Sequence, residues 1–164
     1  MDALEGTEFM STLDMQSGYW QIAMAPEDKA KTAFLTRFGL FQFTRMPFGL
    51  SNAPATFQQA VQLVFQGMTL REVLTYLDDI NVLGPDFDGH LTNLRKSFER
   101  LRQYNLKLKP RKCKFFQKEV PFLGRLATLK GIAVDPKKIE AIKAWPILTN
   151  KCEVMQFIGF GAYH

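Results

Sequence analysis

The sequence predicts an α+β domain in which helices back an antiparallel sheet. Three observations point there. Short runs rich in β-branched and aromatic residues recur between turn signals, the clearest being the two arms of Val73 to Gly84. Apolar residues recur at helical spacing from Ala55 to Phe65 and from His90 to Tyr104. A length of 164 residues with 46% hydrophobic content suits one domain with a real core.

Composition excludes several classes. No run of about 18 apolar residues exists, so no membrane span and no membrane partner is expected. The N-terminus lacks a basic-then-apolar leader. Cys113 and Cys152 give neither metal spacing nor a disulfide framework, which makes reduced thiols the default. His90 and His164 are too few for a histidine-based triad or zinc site. Charge is divided. Residues 1–90 carry 5 Lys/Arg against 11 Asp/Glu, a balance of −6; residues 91–164 carry 16 against 5, a balance of +11. The basic half suits phosphate backbones.

Taken in order, Ser11–Met15 reads as a strand carrying a lone Asp14, followed by the turn-like Ser17-Gly18. Pro26-Glu27-Asp28 reads as a turn. Lys31–Thr36 and Leu40–Met46 read as a hairpin closed by Arg37-Phe38-Gly39. Pro47-Phe48-Gly49-Leu50 is a rigid turn before a helix. Ser51 or Asn52 can cap that helix, Pro54 stands near its start, and Gly67 ends it. Gly49 would let backbone approach a phosphate-bearing ligand.

Val73–Leu83 reads as a β-hairpin with Asp78 and Asp79 at its tip, since Asp tolerates tight turns. If the strand of Asp14 lies alongside, three carboxylates converge. They would repel one another and raise one or more pKa values. Divalent cations relieve that repulsion, and Mg²⁺ prefers carboxylates, waters and substrate phosphates.

Gly84-Pro85-Asp86 breaks the hairpin. His90–Tyr104 is an amphipathic helix with Leu91, Leu94, Phe98 and Leu101 on one face. Leu106–Lys109 alternates as a short strand. Pro110–Phe116 is basic with interleaved aromatics, a nucleic-acid-like texture. Val120–Leu126 reads as a strand, Lys130-Gly131 as a turn and Ile132–Val134 as extended. Asp135 caps a helix from Pro136 to Trp145, and Asn150 opens a last helical stretch, Val154–Phe160.

These boxes, in this order, resemble one family. Tyr76-Leu77-Asp78-Asp79 is similar to the Tyr-x-Asp-Asp box of reverse transcriptases. Ser11-Thr12-Leu13-Asp14-Met15-Gln16-Ser17-Gly18-Tyr19 resembles its first catalytic Asp box. Arg45-Met46-Pro47-Phe48-Gly49-Leu50-Ser51-Asn52-Ala53-Pro54-Ala55-Thr56-Phe57 resembles its nucleotide-pocket box. Lys109-Pro110-Arg111-Lys112-Cys113-Lys114-Phe115 and Phe122-Leu123-Gly124 follow as in gypsy-like (metavirus) LTR retrotransposon Pol polyproteins.

The resemblance implies a palm with part of the fingers and the start of the thumb or connection. Catalytic carboxylates fall on Asp14, Asp78 and Asp79, with Met15 lending a carbonyl to one of two Mg²⁺ ions, for which Mn²⁺ can substitute. Tyr19 is similar to the residue that excludes a ribose 2′-hydroxyl. Phe48 and Gly49 match residues lining the incoming nucleotide, Tyr76 the one touching the primer end, and Leu123 and Gly124 the primer grip. Lys112 or Lys114 matches the basic residue near the pyrophosphate. The implied activity is RNA-directed DNA polymerisation. The implied partners are an RNA or DNA template with its primer, dNTPs and the remaining Pol segments. The whole chain, 1–164, is then expected to be a partial reverse transcriptase domain, with a fingers segment upstream and connection and RNase H regions downstream. The implied compartment is a cytoplasmic retroelement particle, with the nucleus as the other one open to it. Arg125 stands where the family often has His. A non-catalytic nucleic-acid binder and a decayed retroelement fragment are the alternative readings.

Overall fold

Strand β1 (Phe9–Asp14) lies in the interior of a four-stranded antiparallel sheet, between β5 (Asp79–Gly84) and β6 (Lys114–Gln117). Strand β4 (Val73–Tyr76) pairs with the other edge of β5. The computed structural model describes residues 6–122, 124–128, 131–134 and 136–163. The predicted role of Asp135 as a cap and the predicted turn residue Lys130 lie outside them. Two smaller sheets accompany the main one: the hairpin β2 (Phe34–Thr36) and β3 (Gly39–Phe41), and the meander β7 (Glu119–Phe122), β8 (Arg125–Thr128) and β9 (Gly131–Ala133). This is the α+β architecture read from the sequence. Among the described residues no helix is long and apolar enough to cross a membrane.

Side chains alternate across a strand, so register decides which residues share a face. Leu13 pairs with Ile80 and Ser11 with Val82. That face packs on helices α1 (Ala53–Val64) and α2 (Phe87–Gln103), where Phe57, Val61, Val64, Leu94 and Leu101 complete the larger core. Met10 pairs with Leu83 on the other face, and both pack against Val120 and Ala127 of the meander. Strand β5 is therefore covered on both sides, and Ile80 to Gly84 are all buried. A doubly covered strand needs a continuous apolar run, which Ile80-Asn81-Val82-Leu83 supplies but for Asn81. Asn81 accepts a hydrogen bond from Thr12 Oγ1 at 2.9 Å.

The end of β5 touches α2 closely. A Cβ added to Gly84 would lie 2.6 Å from the His90 main-chain nitrogen and closer still to its Cα and Cβ. Only glycine lets these two backbones meet there. Asp86 starts α2 by accepting from the Gly89 N–H at 2.7 Å.

Several elements differ from the expectation. The two-residue turn of the central hairpin is Leu77-Asp78, with Asp79 already paired to Tyr76. Leu77 takes a positive φ of 50°, which such tight hairpins require at a central position. Strand β3 stops at Phe41; Thr44 and Met46 instead bond Met24 and Ile22. Pro26–Thr32 is a 3-10 helix. Residues 106–109 are not a strand, although Leu108 bridges Met15. Glu119 to Thr128 is a hairpin turning near Gly124, whose φ is 74°. Helix α2 begins at Phe87 and buries His90, Asn93, Leu94, Ser97 and Leu101, leaving Leu91 and Phe98 exposed. Helices α3 (Pro136–Lys143) and α4 (Lys151–Tyr163) close the chain. At the start of α4 the expectation is met: Asn150 Oδ1 accepts from the Glu153 N–H at 3.0 Å.

Candidate active site

Asp14 ends β1 and Asp79 begins β5, and the two are directly paired across the antiparallel ladder. Their side chains therefore leave the sheet on the same side. Asp78 sits in the adjoining turn. The turn is held from below by Gln58 of α1, whose Oε1 accepts from the Leu77 N–H at 2.6 Å and whose Nε2 donates to the Thr75 carbonyl at 3.4 Å. Gly18 closes the other side: a Cβ there would run into Asp78 Oδ1 and lie 2.6 Å from Phe57 Cζ. Helix, strand, hairpin and a 3-10 turn (Gly18–Gln21) thus all bear on one cluster of carboxylates.

The electrostatics are those of a cluster short of positive charge. Burial, then the neighbouring Asp14 and Asp79, push the Asp78 carboxyl above the usual carboxylate range, while Lys112 pulls the other way. Burial and Asp14 likewise push Asp79 up. Lys112 Nζ lies 3.4 Å from Asp14 Oδ2, at a site open enough to water that the pair is weak. Lys114 stands opposite Thr12 on β6. Of the two lysines between which the sequence did not choose, Lys112 is the one that reaches the carboxylates. Among the described residues no group of three His, Cys, Asp or Glu side chains forms a ready-made ligand cage. The donor chemistry is nonetheless that of a hard, oxygen-preferring cation: carboxylate oxygens in excess, with like charges directly opposed.

The other predicted residues fall as follows. The Tyr19 ring packs against Phe48 and against Phe57, each at a centroid distance of 5.1 Å. Phe48 is largely exposed, and Gly49, at φ 93°, has open space where a side chain would be. Tyr76 is paired with Asp79 and exposed beside the carboxylates. Met15 is buried, its backbone bridged to Leu108. Gly124 lies at the turn of the β7–β8 hairpin, its carbonyl accepting from Lys138 Nζ at 2.6 Å. Leu123 lies outside the described residues. Sequence reasoning missed Gln58. A polar residue beside the fully buried Phe57 was the available signal, and it is a faint one.

Comparison with known proteins gives the family and the fold. Residues 1–126 match the family described as reverse transcriptase (RNA-dependent DNA polymerase). The retrovirus-related Pol polyprotein from transposon 297 of Drosophila melanogaster is 40% identical over 157 residues, which is 96% of this chain and 15% of that protein. The corresponding polyprotein from transposon gypsy of the same organism is 32% identical over 96% of this chain and 15% of its own length. A foamy viral protease-reverse transcriptase in complex with dsDNA superimposes with a TM-score of 0.85 at 24% identity, covering 99% of this chain and 34% of that one. The same kind of protein in complex with an RNA/DNA hybrid gives 0.81 at 23% identity, over 96% of this chain and 22% of that one. These two likenesses establish the fold. The chain spans about 15% of the length of the curated relatives it matches.

Proposed function

The chain belongs to the reverse transcriptase (RNA-dependent DNA polymerase) family, and from that premise we propose that the carboxylates of Asp14, Asp78 and Asp79 serve template-directed addition of dNTPs to a primer 3′-hydroxyl. The observation that carries this is the direct pairing of Asp14 with Asp79, with Asp78 in the adjoining turn. Asp14, Asp78 and Asp79, with the Met15 carbonyl, are the residues that would hold two Mg²⁺ or Mn²⁺ ions. Ions bound there would lower the pKa of the attacking hydroxyl and neutralise charge on the leaving pyrophosphate.

The remaining residues bind and orient. Tyr19, packed against Phe48 and Phe57, forms a platform under the sugar of the incoming nucleotide. Phe48 covers the nucleotide while Gly49 leaves room for its approach. Tyr76 contacts the primer end, and Leu123 and Gly124 grip the strand behind it. Lys112, already beside Asp14, meets the pyrophosphate. Such a reaction needs little covalent chemistry from the protein; positioning and charge supply the rate. In this reading the template, the primer and the remaining Pol segments (fingers, connection and RNase H) are its partners.

Primer extension on an RNA template tests the proposal, with dNTPs, Mg²⁺ or Mn²⁺, and Asp78→Asn as control. Circular dichroism checks folding of both chains. Extension by the native chain that disappears in the variant supports it. Binding of template-primer by a folded chain without incorporation, even after the upstream fingers segment is supplied, overturns it in favour of a non-catalytic binder.

A further inference from the structure

A second cleft lies next to the strand of Asp14 and is lined in part by the 3-10 turn that carries Tyr19. It encloses about 550 Å³ and is lined by Trp20, Gln21, Arg45, Tyr104, Asn105 and Lys107, together with Gln16 and Ser17. The segment after α2 ties it to the active site. The Gln16 N–H donates to the Lys107 carbonyl at 2.9 Å, and the Lys109 N–H donates to the Asp14 carbonyl at 2.8 Å. The two sites are thus joined through one stretch of backbone.

The cleft is built rather than incidental. The Gln21 side chain donates to the carbonyls of Gln16 and Lys107 at 2.7 and 2.9 Å and accepts from the Lys107 N–H at 2.7 Å, which locks its floor. Arg45 donates to the Gln21 carbonyl at 3.0 Å, so its guanidinium is held in place while the residue stays exposed. The Trp20 indole packs on Phe43 at a centroid distance of 5.5 Å yet is 40% exposed; Tyr104 is 41% exposed. Ser17 and Asn105, both non-glycine residues at positive φ, stand at its rim. Among the described residues no Asp or Glu lines it.

Two exposed aromatic rings, a guanidinium held by a main-chain carbonyl, an exposed lysine, amide groups and no carboxylate make up a recognisable chemistry. Aromatic rings stack on bases, and cations with amides hold the phosphate. We propose that this cleft is a second nucleotide-binding site, taking one base-and-phosphate unit against Trp20, Arg45 and Lys107. The unit is either a free nucleotide or an unpaired nucleotide of a bound strand. The site does not depend on the polymerase reading, because it uses none of the three carboxylates.

Tryptophan fluorescence tests it. In a Trp145→Phe background Trp20 is the only indole. The full chain is titrated in EDTA with dTTP and, separately, with a short oligothymidylate. Saturable, salt-sensitive quenching is expected, weakened about tenfold or more by Lys107→Glu. That variant keeps the main-chain bonds of residue 107, and circular dichroism confirms its fold. Quenching by dTTP as strong as by the oligonucleotide identifies a free nucleotide as ligand; quenching by the oligonucleotide alone identifies a strand. Absence of quenching in both titrations overturns the proposal. So does quenching that survives Lys107→Glu but is lost in Lys112→Ala, since the nucleotide would then sit at the carboxylates.

Discussion

Asp14 and Asp79 face each other as a directly paired couple on adjacent antiparallel strands, with Lys112 Nζ 3.4 Å from Asp14 Oδ2. Like charges directly opposite each other destabilise a sheet. Asp79→Asn should therefore unfold at slightly higher urea concentration than the native chain in the absence of divalent ions. Mg²⁺ should raise the midpoint of the native chain and much less that of the variant, since a ligand stabilises the state that binds it. The pH dependence has a definite sign. Burial and Asp14 raise the Asp79 pKa, so the folded chain holds this proton more tightly than the unfolded one. The pair's contribution to stability grows as pH falls from the raised folded value towards the ordinary one near about 3.9. Urea midpoints measured across that range should show the trend in the native chain and a flatter one in Asp79→Asn.

His90 has the opposite sign. It is fully buried under β1, its Nε2 hydrogen-bonded to Ser11 Oγ at 2.6 Å, and Ser11 Oγ also accepts from the Phe116 N–H at 3.1 Å. Burial holds the imidazole pKa below 6.5, opposed in part by the Leu83 carbonyl, which does not reach a hydrogen bond with Nδ1. The unfolded chain binds this proton more readily, so stability is full above about pH 6.5 and declines as pH falls through the folded value. His90→Gln should lose that decline in thermal melts between about pH 7 and pH 5. Ser11→Ala, which strips a partner from both His90 and Phe116, should cost about 1–3 kcal/mol at neutral pH.

These residues also show where sequence reading reaches its limit. The hairpin, the two carboxylate boxes and the rigid Pro47 turn were legible because each rests on local chemistry: β-branched runs, Asp in turns, proline before a helix. The buried face of α2 was legible only in part. Apolar periodicity puts Leu91, Leu94, Phe98 and Leu101 on one face; Leu94 and Leu101 are buried, Leu91 and Phe98 are exposed, and the rest of the sheet-facing stripe is His90, Asn93 and Ser97. Their side chains are bonded to Ser11, to the Leu83 carbonyl and to the Asn93 carbonyl. A pattern that counts only hydrophobicity misses a buried stripe held by hydrogen bonds. The turn falls one residue earlier than expected because leucine gives no sign of adopting positive φ. Lys112 and Lys114 could be told apart only by the path of the backbone through the 3-10 turn Pro110–Lys112.

Glycines give a paired test of packing. Gly84→Ala places a methyl group against the His90 backbone, which cannot swing aside as a side chain could. Overpacking of this kind costs about 1–3 kcal/mol, or more where backbone must shift. Gly159→Ala lies in α4 with nothing within 4 Å of the added methyl. It should stabilise the chain by about 0.5–1 kcal/mol through helix propensity. Urea denaturation of both variants checks the contrast; equal effects would show that the approach of β5 to α2 does not constrain residue 84.

Tyr19 offers the sharpest test of the nucleotide pocket. Its ring packs against both Phe48 and Phe57, and its neighbour Gly18 packs against Asp78 and Phe57. In the proposed reading this ring stands where an extra hydroxyl on the sugar would fall. Tyr19→Ala removes the obstacle and leaves the carboxylates untouched. Steric discrimination by one pocket contact is worth about 1–3 kcal/mol, so the preference for dNTPs over NTPs should fall by roughly 10- to 200-fold. Single-nucleotide incorporation with matched deoxy- and ribonucleotides measures it. Loss should appear as faster ribonucleotide addition, with deoxynucleotide addition reduced far less. If both substrates slowed in proportion, Tyr19 would be a packing residue of the core and not the wall of the sugar pocket.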